Sequence, residues 1–289
     1  MQEMQCKRLC ASLSLGCIER WGNDLRACVG LVVAAISLAG CDPATNPASA
    51  LSGEAAKLDA YLVSDKAHQE MLDQMCSPDK DCSDLPHIYR VIKETHPAEY
   101  ATFVNDADNM VKRGVTPTDV SFQFALSVLN TANVDLEDEA VLEVVRDTAA
   151  SIQAIKAVYP PMCVSLLIGR NEAPPADVAR KLFDPERYKL NVSMLRKASA
   201  NRARIERGEL KLEILDLERV QELSASYFQQ LGPDEAEAVQ RFGAGMAETN
   251  EYPVACDVME GLMLYIVDRP KEQAGPYMRG LAKAAQPAT

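Results

Sequence analysis

Behind residue 136 the apolar positions recur at steps of three and four: Val141, Val145, Thr148, Ile152, Ile155 and Tyr159 fall on one stripe of a helix. Asp135 is placed to cap that helix, Glu137, Asp138 and Glu139 suit the positive end of its dipole, and Pro160 stops it. The same reading gives helices near 53–75, 85–94, 97–113, 118–130, 136–159, 185–207, 216–231, 234–248, 254–267 and 271–284. Gly114 and Gly208 sit where helices should end. Two stretches alternate like strands, Val120-Ser121-Phe122-Gln123-Phe124 and Leu210-Lys211-Leu212-Glu213-Ile214. The start Thr116-Pro117-Thr118-Asp119 favours a helix for the first; nothing decides the second. The expected fold class is all-α, a helical bundle or stacked helical hairpins, with an α+β arrangement of two short strands as the alternative.

Short motifs recur in order. Pro97-Ala98-Glu99-Tyr100, Lys112-Arg113-Gly114, Asp138-Glu139-Ala140 and Tyr159-Pro160-Pro161-Met162-Cys163 are echoed by a second series. That series is Pro185-Glu186-Arg187-Tyr188, Glu206-Arg207-Gly208, Asp234-Glu235-Ala236 and Tyr252-Pro253-Val254-Ala255-Cys256. Duplicated halves at 97–163 and 185–256 would make Cys163 and Cys256 equivalent positions.

The amino-terminal part has a different pattern. Ala27 to Leu38 is a run of twelve small and apolar residues behind Arg20 and Arg26, too short for the about 20 residues that span a bilayer. A basic flank, a short apolar stretch and small residues at its end are the marks of a secretory signal. Leu38-Ala39-Gly40-Cys41 resembles the lipobox of bacterial membrane lipoproteins, a likeness carried by four contiguous residues. The resemblance implies cleavage before Cys41, a diacylglycerol on its thiol and an acylated new amino terminus. Several buried chains at ~0.8 kcal/mol per methylene anchor a protein durably, where one does not.

Residues 1–40 are thus expected to be an export signal, with a leader long enough to suggest a start further downstream. Residues 41–52, beginning Cys41-Asp42-Pro43-Ala44-Thr45-Asn46-Pro47, read as a lipid-anchored tether. Residues 53–289 are then the helical periplasmic domain. Asp42 resembles the signal that retains lipoproteins on the inner membrane of enteric bacteria, and the choice of membrane stays open. The only tryptophan, Trp21, would leave with the signal.

Removing the four basic and three acidic residues of 1–40 from totals of 30 and 42 leaves 26 against 39, a net charge of about −13. So negative a surface repels phosphate backbones, which argues against nucleic acid and for basic proteins or plain solubility. Besides Cys41, four cysteines follow: Cys76, Cys82, Cys163 and Cys256. An even number in an oxidising compartment suggests two disulfides. Of three pairings the expected one joins Cys76 to Cys82 across Ser77-Pro78-Asp79-Lys80-Asp81, and Cys163 to Cys256.

Reactive constellations are sparse. His68, His87 and His96 include no pair at the i, i+4 spacing of a helical zinc site. Asp79, Asp81 and Asp84 lack the glycine and closing glutamate of a calcium loop. There is no Gly-x-Ser-x-Gly elbow, and Gly243-Ala244-Gly245 lacks the third glycine of a dinucleotide fingerprint. No cofactor, metal ligand or catalytic residue is assigned. Residues 180–207 hold nine basic side chains, among them Arg187, Lys189, Arg196, Lys197, Arg202, Arg204 and Arg207, beside an apolar line of Tyr188, Val192 and Leu195. Such a face either meets anionic lipid or an acidic partner, or is salt-bridged to the acidic segment after it; the second reading is favoured.

These observations point to a lipid-anchored module that binds another envelope protein, as an inhibitor, an immunity-type factor or a scaffold. The alternatives are an envelope hydrolase whose carboxylates only the fold assembles, and a structural spacer.

Overall fold

The computed structural model describes residues 53–112, 124, 128–167, 174–246 and 248–284. The expected export signal, tether and lipidated Cys41 lie outside them, as does most of the strand-like stretch 120–124. Among the described residues the protein is all-α: there are helices, two 3₁₀ turns and no strand.

Two helices, α1 (Gly53–Leu62) and α2 (Asp65–Met75), replace the single one expected over 53–75. Ser64 causes the break. Its hydroxyl donates to Tyr61 O at 2.6 Å and accepts from Ala67 N at 3.1 Å, ending one helix and capping the next. Then come α3 (Ile88–Thr95) and α4 (Pro97–Lys112), joined at His96 with Pro97 in the first turn, where a missing amide hydrogen costs nothing. Residues 124 and 128–132 are helical, in keeping with the expected 118–130 element. A 3₁₀ turn, Asn133–Asp135, leads into α5 (Asp138–Val158), whose N-cap position falls on Glu137, without a side-chain bond, and not on Asp135 as expected.

Two helices of seven residues follow, α6 (Pro161–Leu167) and α7 (Ala176–Leu182), both too short to show a period in the sequence. The long basic helix α8 (Pro185–Glu206) starts on Asp184, whose carboxylate accepts from Glu186 N and Arg187 N at 2.9 and 3.4 Å. Gly208, at φ +73°, turns the chain out of it. The last four helices are α9 (Leu217–Phe228), α10 (Pro233–Gly243), α11 (Tyr252–Val267) and α12 (Lys271–Ala284). The expected 234–248 helix stops early because Gly245 takes φ +71°.

The second ambiguous stretch resolves as neither strand nor helix. Residues 210–216 have no regular secondary structure, with Leu212 and Ile214 turned partly inward and Lys211 and Glu213 out. They lie across α12, where Leu215 N donates to Pro276 O at 3.1 Å. Gly280 permits this approach, since a Cβ there would stand 2.6 Å from Leu215 O.

The long helix α5 is the mast of the molecule. Val141 and Val145 enter a core with α1, α3, α4 and α8; Leu142 enters one with α9, α11 and α12; Ile152 and Ile155 enter one with α6, α10 and the start of α11. The expected stripe is thus buried, and it serves three clusters instead of one. Lys156 pairs with Asp257 and Gln153 with Glu260, an index order that sets α5 and α11 antiparallel. A fourth, smaller cluster joins Leu72, Cys82, Leu85 and Phe183. No helix among the described residues is long and apolar enough to cross a membrane.

Candidate functional site

Disulfides join Cys76 to Cys82 and Cys163 to Cys256, with Cα atoms 6.5 and 5.0 Å apart, the two pairs that the spacing favoured. The second lies fully buried and ties α6 to α11. The first closes the loop that carries Lys80. From there Lys80 Nζ donates to the carbonyls of Arg180, at 3.2 Å, Lys181, at 3.1 Å, and Phe183. Those carbonyls end α7, so the ammonium sits at the negative end of that helix dipole. Arg180 Nε returns the contact by donating to Gln74 O at 3.0 Å, at the end of α2. Asp79 and Asp81 take local bonds, from Ser77 and from the amide and hydroxyl of Ser83, in a tight exposed turn.

Along α8 the basic residues form a seam. Arg187 meets Asp147 at 2.9 Å, Lys197 meets Glu143 at 3.7 Å, and Arg204 meets Glu137 at 2.6 Å, a ladder that sets α8 antiparallel to α5. Arg202 is held twice, by Glu99 at 2.9 Å and Asp135 at 2.8 Å. Lys189 meets Glu186 and Asp84, and Arg207 meets Glu209. The salt-bridged reading therefore holds, with one correction: most of the acids come before α8 in the chain, on α4, α5 and the 3₁₀ turn, and only Glu209 comes after. The apolar line faces inward. Val192 and Leu195 are buried, and the Tyr188 hydroxyl donates to Pro86 O at 2.8 Å and accepts from Ile88 N at 3.2 Å.

Two carboxylates do converge at Glu99 and Asp135, as an acid–base pair would require. They converge on a guanidinium. Burial pushes Glu99 up, but hydrogen bonds from its own backbone and from Arg202 outweigh it and hold the carboxyl below its ordinary value. Such a group stays ionised and serves as a strut. A cleft of about 250 Å³ opens between Lys80, Ala154, Lys181 and the Phe183-Asp184-Pro185 corner, with Arg187 at its wall. Two of its cations are already committed, Lys80 to carbonyls and Arg187 to Asp147.

The three histidines gather in one part of the molecule. His68 and His87 stack with ring centroids 4.7 Å apart and planes 17° from parallel. His68 Nε2 meets Leu85 O and His87 Nε2 meets Ser64 O, each at 3.0 Å. A carbonyl only accepts, so each Nε2 carries the hydrogen and each Nδ1 a lone pair, and both Nδ1 atoms are buried without a partner. Near-parallel rings cannot both aim a lone pair, in plane, at one ion, so the stack is no chelate. His96 is wholly buried. The Thr95 hydroxyl donates to Val91 O at 2.7 Å and so accepts from His96 Nδ1 at 2.8 Å, leaving Nε2 as the buried, unpartnered acceptor.

One buried cation was not legible in the sequence. Arg279, 1 % exposed, donates to Glu213 O at 2.7 Å, Leu136 O at 2.9 Å and Asp138 Oδ1 at 2.7 Å. It binds the 210–216 segment and α5 to α12. Among the described residues no three His, Cys, Asp or Glu side chains are grouped to hold a metal. Comparison with protein-family profiles, with curated proteins and with solved structures finds no match to this chain.

Proposed function

We propose that this chain is a lipid-anchored envelope protein, held through Cys41, whose helical domain binds a basic protein of the same compartment as an inhibitor, immunity-type factor or scaffold. The observation that carries the reading is the partition of charge. The basic helix α8 is neutralised from within by Glu99, Asp135, Glu137, Glu143 and Asp147. Elsewhere acid faces outward: of the ten Asp and Glu in residues 209–251 all but Glu235 and Glu251 are exposed, against Lys211, Arg219 and Arg241. A negative surface of that kind steers a positive partner and repels nucleic acid. Two disulfides suit an oxidising compartment, and the lipobox-like Leu38-Ala39-Gly40-Cys41 supports the anchor.

Glu218, Glu222 and Asp234 are exposed on this acidic segment. Capture from solubilised envelopes with the wild type, the Cys41→Ala form and an E218Q/E222Q/D234N variant tests the reading. The expected result is a stoichiometric basic protein retained by the wild type, weakened by salt and by the triple variant, and lost from membranes with Cys41→Ala. Recovery of no such protein, or capture indifferent to salt and to the triple variant, contradicts it.

A further inference from the structure

The chain has three histidines, and all three lie between α2 and the start of α4. Each has one ring nitrogen donating to an oxygen and the other buried with a lone pair and no partner. His87 and His96 are therefore held as neutral rings. A proton added to His68 or His87 at Nδ1 would create a buried N–H with no acceptor, and a second would stack two cations 4.7 Å apart.

We propose that the His68–His87 stack is an acid-sensitive latch that holds α2 against the 82–87 loop and opens this region alone when the rings are protonated. The two contacts it would release are reciprocal, His68 to Leu85 across the loop and His87 to Ser64 at the corner between α1 and α2. Cys76–Cys82 would keep the freed loop attached to α2. Asp65 and Arg90, paired with each other at 2.8 Å, face the stack from α2 and α3, and Tyr89 meets His87 edge-on at 6.2 Å. From α8, the Tyr188 hydroxyl holds Pro86 and Ile88 beside it. Burial lowers His87, as do the neighbouring His68 and Arg90, against the Ser64 carbonyl and Asp65, which raise it. Burial and then Arg202 lower His96, against Glu99 and Asp135.

The sign follows. With the folded value below the ordinary one, the unfolded or open state binds the proton more tightly. The stability that His87 and His96 contribute is complete above about pH 6.5 and is lost as the pH falls toward their depressed folded values. Carboxylates titrate lower, so between about pH 7 and 5 the charge change falls mainly on this region.

Hydrogen exchange of the whole protein at pH 7.5 and 5.0, corrected for intrinsic rates, tests the latch. Acidification should cut protection in 64–96 severalfold and leave α5 and α11 nearly unchanged. An H68Q/H87Q variant keeps an amide donor for each carbonyl without a titrating group, and should lose most of that response. Equal losses in both regions, no loss in 64–96, or an unaltered response in the variant overturns the proposal. If the variant does not fold, titration of the three wild-type imidazole C2 protons decides: His87 titrating below free histidine supports the latch, and His87 at or above it overturns it.

Discussion

Around Arg279 a fully buried guanidinium meets two carbonyls and a carboxylate, while in the segment from α2 to the start of α4 three imidazoles each keep a lone pair facing no donor. The regions differ in kind. In the carboxy-terminal one, the Ser224 hydroxyl bonds the Tyr277 hydroxyl at 2.5 Å and also donates to Val220 O, and the Tyr227 hydroxyl donates to Val258 O at 2.7 Å. Burial pushes both tyrosines up to about 12, so neither titrates near neutrality. In the amino-terminal region the buried polar groups include imidazoles, whose ordinary values lie closest to physiological pH. The contrast teaches that similar burial yields a rigid joint around Arg279, where the guanidinium nitrogens, two carbonyls and Asp138 all meet, and a pH-dependent one where titratable rings must stay neutral.

The largest blow to the contrast should come from the buried disulfide. Its partners are 93 residues apart, so Cys163→Ala with Cys256→Ala should cost about 4 to 5 kcal/mol, against about 2 kcal/mol for removing the bridge between Cys76 and Cys82, six apart. Urea unfolding of the two double variants measures the difference; equal losses would mean that the carboxy-terminal region is not the one held by its long crosslink. Next is Arg279→Leu, which leaves Asp138 and two carbonyls without their donor and should cost about 3 to 5 kcal/mol at neutral pH. A thermal melt close to wild type would show that the joint at α12 is not saturated as described.

Arg202→Gln should be milder, about 1 to 2 kcal/mol, because its carboxylates are partly in water. It has a second readout: without the guanidinium, Glu99 should titrate higher, visible in its side-chain carboxyl resonance. Smallest is Ser64→Ala, about 1 kcal/mol from the lost cap, with increased exchange confined to the first turn of α2. A loss spread through α5 would instead couple the two regions more tightly than their packing implies.

Much of the fold was readable because its signals are local. Pro97, Pro185 and Asp184 mark helix starts by chemistry confined to one turn, and the stripe on α5 needs only its own period. The break at Ser64 was missed because apolar spacing continues across it, although the hydroxyl that makes it is in plain view. Asp135 looked like a cap and became a strut because Arg202, 67 residues away, claims its carboxylate. Arg279 lies 141 residues from Asp138, and no pattern along the chain brings them together. The histidines were visible as residues; their stacking and locked tautomers depend on where Ser64, Leu85 and Thr95 place oxygens.

The proposed setting of this domain, outside the cytosol and tied by lipid and disulfides, is open to a direct measurement: the intact mass of the protein isolated from its native cells, before and after reduction. The account predicts a chain beginning at Cys41, heavier by its acyl groups, that gains two hydrogens for each of two bridges on reduction. An unacylated chain that keeps residues 1–40 and does not change mass under reductant would contradict it.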